Sequence, residues 1–204
     1  MIYRPMFLAL VVLMALSTMV QAQTPVFDAL KKEFDNKKVF KSEYQHTYRD
    51  SYTEETITSA GQIWIGKNEY KLVSDDQTIV VDGETSSIYD AFKNRVIVSF
   101  YEEEADDLAP SRTLNGVDST YTVTERRDGD LTRISMTSED DFAIYPSIEI
   151  WVAQNGRPIR ITAVDTAENE TTIEFGRSSF IPFNSDEFKL NYPADAEIID
   201  MRIE

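Results

Sequence analysis

The only histidine in the chain, His46, is the first residue to test for chemistry. An imidazole can serve as a general base or a metal ligand, but both roles need company. Metal sites gather several His, Cys or carboxylate groups, and a catalytic triad needs a nucleophile and an orienting acid. The sequence has no Cys, no G-x-S-x-G elbow, no phosphate loop and no zinc-spaced histidine pair. His46 therefore reads as a half-buried strand residue. The run Glu102-Glu103-Glu104-Ala105-Asp106-Asp107 offers carboxylates to a hard cation. Recognisable calcium loops, however, place them at alternate positions around a Gly, so a contiguous run reads as a solvated loop. With 36 acidic side chains, an accidental carboxylate pair spaced for glycoside cleavage stays open. The residue types favour binding over catalysis, with no cofactor and no metal.

Composition narrows the partners. The formal net charge is −16, which opposes binding to nucleic acid or to anionic headgroups, where Lys and Arg supply the affinity. Residues 1–22 read as a signal peptide: Arg4 gives a positive start, Met6 to Met14 an apolar core, and Val20-Gln21-Ala22 a small-residue cleavage site. The apolar run is shorter than the roughly 20 residues needed to span a bilayer. Cleavage after Ala22 would release residues 23–204 as one soluble, exported domain of charge −17, since Arg4 leaves with the leader. No Cys follows the apolar core, so acylation at a lipoprotein-type N-terminus is excluded.

The elements that must position any site are mostly strands. Pro25 to Lys38 is the one good helix near the start. Thr24 is placed to cap it, and Val26, Phe27, Leu30 and Phe34 form a stripe at helical spacing. From Phe40 to Arg49 the residues alternate, with Phe40, Ser42, Tyr44, His46 and Tyr48 on one side. Ser59 to Tyr89 reads as four short strands. Gly66-Lys67-Asn68 is expected to turn with positive φ, and Asp82-Gly83 gives a hairpin signal. Arg95 to Tyr101 follows. Leu108 to Gly116 breaks the rhythm and can hold a helical turn. Val117–Glu125, Leu131–Thr137, Ser147–Val152, Pro158–Val164 and Thr171–Phe175 are five further strands, and Phe188 to Ile203 adds one or two closing ones. A sheet of ten or more strands must curl, and a curled sheet that wide encloses a trough its own side chains do not fill.

The order Gly61-x-x-Trp64-Ile65, Lys67, Tyr70, Asp82-Gly83, Ile88-Tyr89-Asp90 resembles the outer-membrane lipoprotein carrier protein (LolA) family. The ending Phe188-Lys189-Leu190-Asn191-Tyr192-Pro193 with Glu197-Ile198-Ile199-Asp200 is similar to that family's closing segment. Lys67 stands where the family often has Arg, and Asn68 replaces its Pro. The resemblance implies a mainly β fold, an unclosed antiparallel β-barrel with an N-terminal helix and a short lid over an apolar trough. It implies a monomeric periplasmic carrier of acylated lipoproteins. Such a carrier takes its cargo from an ATP-driven release complex in the inner membrane and passes it to an outer-membrane acceptor. A lipid- or lipoprotein-sensing module of the same fold is the alternative. On the face we expect to be concave, Ile63, Ile65, Tyr70, Leu72, Ile79 and Val81 would meet acyl chains. Lys67 would hydrogen-bond lid carbonyls in the closed state, and Leu108 and Leu114 would supply the lid's apolar weight.

Overall fold

The structure, a computed structural model, describes residues 24–102, 106, 109–116 and 120–202. Among them, twelve strands form a single sheet in the order β12-β6-β5-β4-β3-β2-β1-β11-β10-β9-β8-β7. The strands are β1 (Lys38–Arg49), β2 (Thr56–Ile65), β3 (Tyr70–Ser74), β4 (Gln77–Val81), β5 (Thr85–Asp90), β6 (Arg95–Phe100), β7 (Tyr121–Asp128), β8 (Leu131–Ser138), β9 (Ser147–Ala153), β10 (Pro158–Val164), β11 (Glu170–Pro182) and β12 (Glu197–Asp200). The outer strands β7 and β12 do not pair with each other, so the barrel is not closed. Two helices, α1 (Pro25–Asp35) and α2 (Pro110–Asn115), accompany the sheet.

Helix α1 forms where its stripe demands it: Phe27, Leu30 and Phe34 are buried against the sheet. It stops at Asp35, short of the expected Lys38, because Lys37 turns left-handed (φ 55°) and Lys38 already pairs with Pro182 in β1. Thr24 makes no side-chain cap. The Glu125 carboxylate of β7 instead accepts from the amides of Phe27 (2.7 Å) and Val26 (3.3 Å). A negative charge there answers both the unpaired amides and the helix dipole.

The main core lies between α1, α2 and one face of the sheet. It joins Phe27, Leu30 and Phe34 to Phe40, Ile63, Ile65, Leu114, Ile148, Ile150 and their neighbours. A smaller cluster on the opposite face packs Phe188 on Val39, Trp64 and Val80. The segment after β11 therefore crosses the outside of the sheet through a 3-10 turn (Ser185–Phe188) before β12 joins β6 in parallel. This tail adds one strand, at the sheet edge. Strand β11 runs far beyond the expected Phe175, because it pairs with almost the whole of β1 through a bulge opposite Ser42 and Tyr44.

Most of the hairpins marked by Gly or Asn turn where those residues stand. Gly83, Gly129, Gly156 and Glu168 take positive φ where Gly or Asn signals mark hairpins, but neither Gly66 nor Asn68 does. That turn is closed instead by the Gly66 amide donating to the Glu69 carbonyl at 2.7 Å.

Candidate ligand-binding trough

Register fixes which side chains share the helix-covered face. Ile65 pairs with Tyr70 and Tyr70 with Val81. One step along the strands, Ile63 pairs with Leu72 and Leu72 with Ile79. Side chains two apart on a strand share a face, so these six residues form two adjacent rows. Phe40 and Ser42 of β1 extend the same rows. Their depths differ. Ile63, Ile65 and Val81 are fully buried and Tyr70 nearly so (7% exposed), while Leu72 and Ile79 are half-buried.

Beside these rows lies a cleft of about 270 Å³. Tyr70, Leu72 and Ile79 border it; Ile63, Ile65 and Val81 do not, being packed beneath the helices and neighbouring strands. Its other walls come from residues that alternation alone did not assign to a site: Tyr44 and His46 of β1, Thr171 and Ile173 of β11, Asp106, and Pro110 at the start of α2. The available signal was the aromatic face of β1, which carries Tyr44 and His46 at alternate positions. Burial holds the His46 imidazolium below the ordinary histidine range and raises the Tyr44 phenol, which also bonds Ser59.

One end of the cleft is roofed by α2. Pro110 occupies its first turn, where a missing amide costs nothing, and Gly116 ends it at φ 105°. Leu114 is fully buried beneath it, in the same cluster as Phe27 and Ile63. Leu108 and Glu103, Glu104, Ala105 and Asp107 of the acidic run lie outside the described residues. Asp106 is not a freely solvated acid. Its carboxylate accepts from the Tyr70 hydroxyl (2.7 Å) and the Tyr101 hydroxyl (3.3 Å), tying the approach to α2 onto the sheet. Burial first, then the Asp106 charge, pushes the Tyr70 phenol above its ordinary range, so it remains a donor.

The lid-to-turn contact runs opposite to expectation. The Lys67 ammonium does not reach lid carbonyls; it pairs with Asp35 at the end of α1 (2.5 Å), with both side chains more than half exposed. The lid is the donor: Asn115 Nδ2 donates to the carbonyls of Lys67 (3.0 Å) and Gly66 (3.2 Å). An amide on α2 can bond two turn carbonyls at once, and Lys67 is left to a surface ion pair worth about 0–1 kcal/mol.

The sequence model of a family described as "Outer membrane lipoprotein carrier protein LolA" matches residues 35–191. No curated protein matches the sequence. An uncharacterised conserved protein from Thermus thermophilus shares the fold at TM-score 0.55 and 11% identity, with 86% of this chain and 96% of that one covered. A LolA superfamily protein from Nitrosomonas europaea aligns at TM-score 0.41, 10% identity, and 80% and 97% coverage. A putative outer membrane lipoprotein-sorting protein domain from Vibrio parahaemolyticus gives 0.45, 9%, and 80% and 94%.

Proposed function

Because the chain belongs to the outer membrane lipoprotein carrier protein (LolA) family, we propose that it is a periplasmic carrier that shields the acyl chains of lipoproteins on their way from the inner to the outer membrane. The observation that carries this reading is the cleft itself: beside buried Tyr70, the apolar side chains of Leu72 and Ile79 are left half-covered under a lid pinned at both ends. Each buried methylene contributes about 0.8 kcal/mol, so a long chain held along these rows binds without covalent attachment. Ile63, Ile65 and Val81 join the contact surface when α2 lifts with Leu114. Lys67 contributes through its backbone carbonyl, which holds the lid closed. The leader in residues 1–22 delivers the protein to the periplasm, and the release complex and acceptor at the two membranes are its partners.

The test is release of labelled lipoprotein from inner-membrane vesicles supplied with ATP and the release complex. The protein should bring the label into the soluble fraction as a complex with itself and surrender it to outer-membrane vesicles. Label that stays with the donor vesicles rejects the carrier reading.

A further inference from the structure

Strand register gives the cleft a polarity gradient. At the lid end stand Tyr70 and Pro110, followed one row along by Leu72 and Ile79. Towards the β1–β2 and β3–β4 turns the lining becomes His46, Gln77 and Thr171. Among the described residues, the His46 ring, the Gln77 carboxamide and the Thr171 hydroxyl make no hydrogen bond, although Thr171 is only 6% exposed. These polar groups border an open cleft, where they can exchange water for a ligand's hydroxyl. Among the described residues the lining contains no Lys or Arg, and its one carboxylate there, Asp106, sits at the lid end already bonded to Tyr70 and Tyr101.

Size adds a second limit. A methylene is close to a water molecule in bulk, ~30 Å³, so about nine carbons fill the 270 Å³ of the cleft with the lid down. We propose that the closed trough binds a single-chain amphiphile with an uncharged, hydroxyl-bearing head: the chain runs under α2 and the head meets His46, Gln77 and Thr171. This rests on the carrier reading and narrows it, since several long chains need the lid raised whereas one short chain does not. A carboxylate head gains nothing here, because no cation among the described lining residues offsets the loss of its hydration.

Titration calorimetry on the protein separates the possibilities, using a monoacylglycerol with a chain of about nine carbons, the fatty acid of equal length, and a triacylated lipopeptide. We expect the monoacylglycerol to bind one molecule per chain, with a Kd roughly tenfold below that of the fatty acid. Thr171→Val combined with Gln77→Leu should erase that preference. Ile79→Phe, which fills the cleft with apolar bulk, should weaken both single-chain ligands. Equal or tighter binding of the fatty acid overturns the proposal. So does binding of the lipopeptide with no competition from either single-chain species, an outcome that leaves the carrier reading standing. Failure of all three ligands to bind rejects both.

Discussion

At the scale of single residues, close approach and burial decide what a substitution does. Gly61 lies in β2 where a Cβ would fall 1.8 Å from the Val73 carbonyl oxygen. Backbone cannot retreat as a flexible side chain can, so Gly61→Ala should cost about 3 kcal/mol or more in urea unfolding. Gly129→Ala, with nothing near the added carbon, should cost only the left-handed strain of about 1 kcal/mol. Tyr70 is buried, with its hydroxyl committed to Asp106. Tyr70→Phe should therefore lose about 1 kcal/mol. Tyr70→Glu would place a second carboxylate beside Asp106 in a dry site, and we expect it to lose at least about 3 kcal/mol, read as a large drop in Tm. Tyr70 is thus a poor probe of acyl binding and half-buried Leu72 a better one.

At the scale of elements, two helices are held by groups distant in sequence. Helix α1 has no cap of its own, and Glu125 on the edge strand β7 supplies one. Glu125→Ala should cost about 1 kcal/mol of stability, with amide exchange rising first in Val26 and Phe27. Helix α2 depends on Asn115. Asn115→Ala releases the Gly66 and Lys67 carbonyls and should speed uptake of an acyl ligand measured by stopped-flow fluorescence. Lys67→Leu breaks only an exposed ion pair and should shift stability by less than about 1 kcal/mol. If Lys67→Leu speeds uptake as much as Asn115→Ala, the lid is held through the lysine ammonium after all.

For the whole molecule, acid is the expected route to loosening. Burial depresses the His46 pKa in the folded state, so the unfolded chain binds the proton more readily. The stability linked to His46 is fully present above pH 6.5 and is lost as pH falls below that value towards the folded pKa. Asp50, Asp82 and Asp90 are also held below the ordinary carboxylate range, and the Arg202 side chain beside Asp200 brings that carboxyl down to about 2. Their contribution is present above the unfolded value of 3.8 and disappears as pH drops from there towards 2. The signs agree, so Tm should fall in two stages, first below pH 6.5 and again below about pH 4. His46→Gln should flatten the first stage and leave the second.

The alternation of Ile63, Ile65, Tyr70, Leu72, Ile79 and Val81 was enough to put six side chains on one face, because a strand's period of two admits no other arrangement once the turns are placed. The apolar stripe of α1 was equally plain, since a helix with Phe27, Leu30 and Phe34 on one side must cover something. Depth was not legible. Whether a face residue borders a cleft or lies beneath a helix depends on where α1 and α2 come to rest, and that separates Leu72 from Ile63. Nor could local sequence show that Glu125 caps α1, that Asp106 answers Tyr70, or that Asn115 rather than Lys67 joins lid to turn. These contacts link residues 98, 36 and 48 positions apart, and only the curl of the sheet brings such partners within bonding distance.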